Sequence, residues 1–338
     1  MGIDAARGLA VLGMFAAHVG FAGDDFWSGT GWLAAANGRS AAMFALLAGV
    51  SMALMSGGEQ PAAGDAARAA RRRIAVRAGA VAALGYSLVA LGTPIAIILP
   101  AYAVMFLLAL PFLTLRPLVV ASAAGGFALL GPVLVAAAGG RGTGLGVDPV
   151  GILLTGYYPA AVWMAYVLAG LTLGRTSLRR APVQARMVAG GTGLALLGYG
   201  VGSWVSATAP AELAERFSIA AHSDTTPEVL GNLGVAIAVL GLLMLAAATR
   251  PGRVALSSLA AVGAMALTVY TGQIVAIAII GPAVVLEQTT NGTLIAFTVV
   301  TLVACTLWVR LLGRGPLERA LRALTRAVVR DPTREAVS

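Results

Sequence analysis

GIDAARGLAVLGMFAAH, residues Gly2–His18, is an apolar run of helix length that carries three ionisable side chains, Asp4, Arg7 and His18. A charge near the middle of a bilayer costs about 2.5–3.5 kcal/mol on insertion scales, so charged groups inside a span face the protein interior or a water-filled cavity. Asp4 and Arg7 are one turn apart, close enough to pair across the helix surface. Arg7 and His18 differ by eleven positions, almost three full turns, which puts them on one face about 16 Å apart along the axis. His18 interrupts the apolar core and no small-x-small cleavage pattern follows it, so the stretch predicts a retained helix with a polar stripe rather than a cleaved leader.

The rest of the chain extends that reading. Of 338 residues, 59% are hydrophobic and only 11% charged. Soluble domains carry roughly 25% charged residues, so this composition excludes a soluble enzyme, a disordered chain and a disulfide scaffold. At ~20 apolar residues per crossing, the chain holds about ten helices. They are expected at residues 3–22, 38–56, 74–92, 96–115, 118–138, 157–174, 187–206, 229–248, 256–282 and 293–313. The expected fold is an all-α polytopic bundle over residues 1–313, followed by a cytoplasmic amphipathic tail over 314–338. Arginines crowd the loops after even-numbered spans (Arg68, Arg71, Arg72, Arg73 and Arg77; Arg116; Arg175, Arg179, Arg180 and Arg186; Arg250 and Arg253) and the tail. The other side has only Arg39, Arg141 and Arg216, and this bias predicts that both termini are cytoplasmic.

There is no lysine, which excludes a phosphate-binding loop of the Walker type. The net charge of +9 comes from loops between apolar spans, an orientation signal, so no nucleic-acid partner is predicted. Cys305 is the only cysteine, which rules out an internal disulfide. His18 and His222 are the only histidines, too few and wrongly spaced for a zinc site. The glycine-rich stretch Gly139–Gly146 reads as a flexible external loop, and Gly198 with Gly202 as a small-xxx-small packing pair. In the tail, arginines recur every three to four residues opposite Leu317, Leu321, Leu324 and Val328, which predicts an interfacial helix anchored on anionic lipid.

Other polar positions are candidates for contact with a substrate. Arg39 and Ser40 stand at the external end of the second span, where Arg39 could pair with Asp24 or Asp25. Thr225 and Glu228 have the spacing of a capping box, which leaves His222 and Ser223 as external contacts. Tyr102, Tyr157 and Tyr158 suit an interfacial aromatic belt, whereas Tyr270 and Gln273 lie within the hydrocarbon, lining a cavity or pairing with another helix.

Gly2–His18 resembles the first helix of the transmembrane acyltransferase superfamily. That superfamily includes the acyltransferase-3 enzymes, with an Arg and a His separated by ten residues, and the heparan-alpha-glucosaminide N-acetyltransferase family with its bacterial relatives. The Asp4–Arg7–Gly8 start and Arg39–Ala53 (RSAAMFALLAGVSMA) resemble the heparan branch, as do His222–Gly231, Leu267–Gln273 and Gly315–Glu318. In the heparan enzyme the position matching His18 is asparagine, and the catalytic histidine follows in the next loop. Val19–Gly38 contains no histidine, so that role falls here to His18 or His222. Many relatives carry histidine at the position of Gln273.

The resemblance implies transfer of an acyl group, acetyl above all, from acyl-CoA to a hydroxyl or amine on a glycan, lipid-linked or small-molecule acceptor. Permanently charged, forked guanidinium groups suit the donor's phosphates, and Arg7 with Arg71, Arg72 and Arg73 would supply them, Asp4 holding Arg7 in place. His18 would serve as general base or as an acyl-carrying nucleophile. A proton-coupled transporter or lipid flippase using the same two side chains, and a non-catalytic membrane partner protein, are the alternatives. The abundance of Ala, Gly and Arg points to the cytoplasmic membrane of a bacterium; membrane lipids are expected neighbours, and a homo-oligomer stays open.

Overall fold

The computed structural model describes residues 1–27, 29–140 and 147–329. It is all-helical, with no strand among the described residues. In chain order the helices are α1 (Gly2–Val19), α2 (Arg39–Met55), α3 (Gly64–Val89), α4 (Leu99–Ala109), α5 (Pro117–Ala137), α6 (Ala160–Leu173), α7 (Ala181–Thr208), α8 (Ala211–Arg216), α9 (Thr226–Ala248), α10 (Arg250–Ala255), α11 (Ser257–Ala264), α12 (Ala266–Ile280), α13 (Ala283–Leu286), α14 (Gly292–Leu312) and α15 (Pro316–Val328). Arg141, Arg330, Arg334 and most of the Gly139–Gly146 stretch lie outside the described residues.

Each expected span falls on a helix or a helix pair. Gly2–Val19, Gly31–Met55, Pro117–Ala137, Thr226–Ala248 and Gly292–Leu312 are long and apolar enough to cross a membrane. Large apolar side chains stay exposed on the outer helices: Leu118, Leu130 and Val133 on α5, Leu196 and Trp204 on α7, Val300 and Leu311 on α14. A surface this apolar on a folded chain belongs in lipid, and the protein is a multi-pass membrane protein.

Inside that belt, α2 and α6 form the centre, with Leu46, Leu47, Trp163, Met164, Tyr166 and Leu168 nearly inaccessible. They cross closely because Gly49 and Gly170 each lie against the other helix's backbone: a Cβ on Gly49 would strike the Val167 carbonyl, and one on Gly170 the Leu46 carbonyl. Gly198 packs against the backbone at Gly231 and Gly202 against Ile219 and Pro227, the small-residue contacts that join membrane helices.

Three features depart from the expected layout. Residues 256–282 do not make one helix: α11 and α12 meet at Met265 with a bend of 78°. Arg7 Nη1 donates to the Gly263 carbonyl (3.3 Å), while the Glu318 carboxylate accepts from the N–H groups of Leu267 (2.8 Å) and Thr268 (3.1 Å). Backbone groups released by a break at membrane depth need such partners, and here α1 and α15 supply them. Secondly, α3 starts at Gly64 and not at the expected 74, so Arg68, Arg71, Arg72 and Arg73 sit on a helix and not in a loop. Alanine and arginine are strong helix formers, and Arg68 pairs with Asp65 one turn back.

Arg175, expected as a loop charge, is the third departure. It is 5% exposed and donates to the carbonyls of Ala53, Ser56, Gly58 and Leu113 and to the Ser56 hydroxyl. It ties the end of α2 to the turn after α4. The tail helix α15, for its part, lies on α3 and α12: Leu317, Leu321 and Leu324 share a cavity with Val81, Leu84 and Leu267, so part of its apolar face meets protein and not free lipid.

Candidate active site

The polar stripe on α1 opens into two separate cavities. Towards the N-terminus, Arg7 is the meeting point of three helices. Its Nη1 reaches Asp4 Oδ1 (3.0 Å) and the Gly263 carbonyl, and its Nη2 the Ser51 hydroxyl (3.1 Å). Asp4 also faces the N-terminal ammonium at 3.4 Å. These contacts fix the guanidinium at the wall of a cavity of about 250 Å³ that Ser51, Arg77, Tyr102, Glu318 and apolar side chains complete. Glu318 is occupied by the start of α12, including a 2.6 Å bond from the Thr268 hydroxyl.

His18, at the other end of α1, lines a second cavity of about 410 Å³. Ser40, Tyr157, Tyr158, His222 and Tyr270 share it. The Gln288 side chain closes the end of α1 by donating to the His18 carbonyl (2.8 Å). Gln273 lies beside the His18 ring and faces it with its side-chain amide.

A buried carboxylate shapes the opposite wall of this cavity. Glu228 is 4% exposed and accepts from the N–H groups of His222 (2.7 Å) and Asp224 (2.8 Å), from the Ser223 hydroxyl (3.1 Å) and from the Asn232 amide (3.1 Å). The Thr225 hydroxyl accepts from Glu228 N–H (3.3 Å), which is half of the expected capping box. The other half goes to the loop: Glu228 holds His222 and Asp224 at positive φ (60° and 54°). The His222 ring stacks on Trp163 at 13° and touches Tyr157 and Tyr158, giving the cavity an aromatic wall.

Between the two cavities stands a thin partition. The Tyr102 hydroxyl donates to the Ala41 carbonyl, and the Ile98 N–H donates to the Tyr270 hydroxyl, each at 3.4 Å. Ala41, Ile98 and Tyr270 face the His18 side, whereas Tyr102, stacked between Phe44 and Phe106, faces the Arg7 side.

The candidates thus sort by position. His18, Ser40, His222 and Tyr270 converge on one cavity, with Gln273 behind His18, while Asp4 and Arg7 sit at the other. Ser223 bonds Glu228 and the Ser218 carbonyl and is loop structure. Arg39 lies with its guanidinium 4.7 Å over the Tyr199 ring, away from the His18 cavity. The cluster Arg71–Arg73 does not act as a unit. Arg71 is turned to the Leu110 carbonyl and the Thr114 hydroxyl, Arg72 is exposed, and only Arg73 lines a cavity. Arg77 and Glu228 were not singled out in the sequence as site residues. Arg77 stands one turn inside an expected span, the same signal that drew attention to Arg7; Glu228 was accounted for by its cap alone.

A family model described as "Heparan-alpha-glucosaminide N-acetyltransferase, catalytic" matches residues 1–209, which contain Arg7, His18, Arg77 and Tyr102. A second, described as "Protein of unknown function (DUF418)", matches residues 173–328. No curated protein matches the chain. With 209 of its 338 residues under the first model, the chain belongs to the membrane acyltransferase-like family of the heparan-alpha-glucosaminide N-acetyltransferase catalytic domain.

Proposed function

We propose that this protein is a membrane acyltransferase that moves an acyl group, acetyl in the simplest case, from acyl-CoA at the Arg7 end to a hydroxyl or amine at the His18 end. One observation carries it: Arg7 and His18 share a face of α1, and each looks into an interior cavity and not into lipid. In the reaction the thioester C–S bond breaks and a C–O or C–N bond forms. The His18 imidazole takes the proton of the acceptor nucleophile, and the departing thiolate is protonated in turn. Arg7, held by Asp4 and Ser51, orients the donor. Ser40, Tyr270 and His222 offer hydroxyl and imidazole groups to the acceptor, and Gln273 steadies the His18 ring. The partition formed by Tyr102 and Tyr270 must part for the acyl group to cross.

Purified protein mixed with acetyl-CoA is expected to release free thiol slowly without acceptor, and His18→Ala to abolish that release. Unchanged release in His18→Ala would contradict the proposal, and a mass increment on intact wild type would place the acyl group on the protein itself. The bend between α11 and α12 favours one rival, since discontinuous helices often line transport sites. Flux of a small anion into vesicles, with no thiol release from any short acyl-CoA, would favour that rival.

The topology belongs to the same proposal: ten crossings, both termini in the cytoplasm, in a bacterial cytoplasmic membrane. Single cysteines introduced before Gly2 and after Arg330 in a Cys305→Ala background should react with an impermeant maleimide only in inverted vesicles. Labelling of either one in right-side-out cells would overturn the orientation.

A further inference from the structure

Below the Arg7 cavity, at the same end of the bundle, lies another of about 430 Å³. Among the described residues its lining is Met55, Arg73, Arg77, Arg322, Thr325, Arg326 and Val329. Four of the seven are arginines, from two helices far apart in sequence: Arg73 and Arg77 one turn apart on α3, Arg322 and Arg326 one turn apart on α15. No carboxylate among the described residues lines it.

Arg77 shows why this arrangement is incomplete. It belongs to both this cavity and the Arg7 cavity, and its Nε is buried without a hydrogen bond. Among the described residues it forms neither a hydrogen bond nor an ion pair, and the charged groups that act on it are two further cations, Arg7 and Arg314. Cations packed together at low dielectric repel one another, and a guanidinium with unused donors is costly to bury. An anion in the cavity would relieve both. Arginine forks fit phosphate oxygens two at a time, and several of them on one cavity wall match a ligand with more than one negative charge.

We propose that α3 and α15 together form a phosphate-binding site for a multiply charged phosphate ligand, with Arg73, Arg77, Arg322 and Arg326 as its clamp. α15 is then a working wall of the site and not only a membrane anchor. Through Arg77 the site continues into the Arg7 cavity, so a ligand with its phosphates here and a narrow arm could reach past Arg7. The identification of that ligand as acyl-CoA rests on the acyltransferase proposal above; the phosphate clamp itself does not. The other source of the same chemistry is the headgroup of an anionic phospholipid.

The test uses the full chain in a zwitterionic detergent, with inorganic pyrophosphate as the first probe and CoA as the second. Arg322→Gln with Arg326→Gln is expected to weaken pyrophosphate binding by about tenfold or more, the scale of losing charge-assisted hydrogen bonds. Arg250→Gln, an exposed charge elsewhere, should leave it unchanged. Arg326→Gln alone should give a smaller loss in the same direction, which guards against a folding defect in the double variant. Equal loss for CoA, with turnover of a phosphate-free acyl-pantetheine unchanged, names the donor as the ligand. Loss confined to capture of phosphatidylglycerol vesicles, with CoA unaffected, names the lipid. If pyrophosphate, CoA and vesicles all bind the double variant as they bind wild type, the site is overturned. If pyrophosphate binding depends on these arginines but no acyl-CoA is ever consumed, the acyltransferase proposal fails and the clamp stands.

Discussion

Arg175 and Arg77 are the same residue type at the same end of the bundle, in opposite states. Arg175, between α6 and α7, spends its donors on four carbonyls and a hydroxyl and is almost wholly buried. Arg77, on α3, makes no hydrogen bond among the described residues and looks into two cavities. A buried charge whose two terminal nitrogens are both hydrogen-bonded is part of the architecture, because removing it takes all of those bonds away. A half-buried charge with its donors idle, among other cations, is waiting for an anion. The difference separates the corner that holds the fold from the corner that holds a ligand, although both are rich in arginine.

The sharpest way to break the comparison is Arg175→Ala. It removes five hydrogen bonds of one buried guanidinium at once and should cost about 4 kcal/mol or more, by the scale of buried charged hydrogen bonds, read as a large fall in the thermal midpoint in detergent. A midpoint within a degree or two of wild type would show that the clasp is ornamental. Arg77→Gln comes next. It should leave the midpoint unchanged or raised, because a repelled cation is lost, and weaken acyl-CoA binding by about tenfold. Loss of stability instead would make Arg77 structural as well. Arg7→Lys should fall between the two kinds. It keeps the charge but loses the fork that spans Asp4, Gly263 and Ser51, so the midpoint should fall slightly and the donor KM should rise a few-fold at most. The smallest effect is Arg72→Gln, an exposed charge whose removal should stay within about 0.5 kcal/mol and leave the donor KM alone.

Much of this was legible in the sequence where a local signal existed. Asp4, Arg7 and His18 stood out because charges in an apolar run have to face inward, and the helical period places the last two on one side. The ladder of apolar runs located the helices for the same reason. Helix α3 was placed short at its start because the segment from Asp65 to Arg73 is helical by propensity but not apolar, so hydropathy passes over it. The break at Met265 left no trace, since the residues that stabilise it are remote: Arg7 lies 256 positions from Gly263, and Glu318 lies 51 from Leu267. Glu228 was half-read, because its cap to Thr225 is local while its grip on His222 and Asp224 depends on how the loop returns. Arg322 and Arg326 looked like one face of a lipid anchor; only the packing of α15 on α3 sets them opposite Arg73 and Arg77.

The central claim is that the inward stripe of α1 carries an acyl donor from the arginines towards His18. The most direct measurement is a density map of the full chain with a non-hydrolysable acyl-CoA analogue bound. The account predicts phosphate density among Arg73, Arg77, Arg322 and Arg326, an arm passing Arg7, and the acyl end at the Tyr102 partition on the way to His18. Density with the phosphates on the His222 side, or with the acyl end directed out between α12 and α14 into lipid, would contradict it.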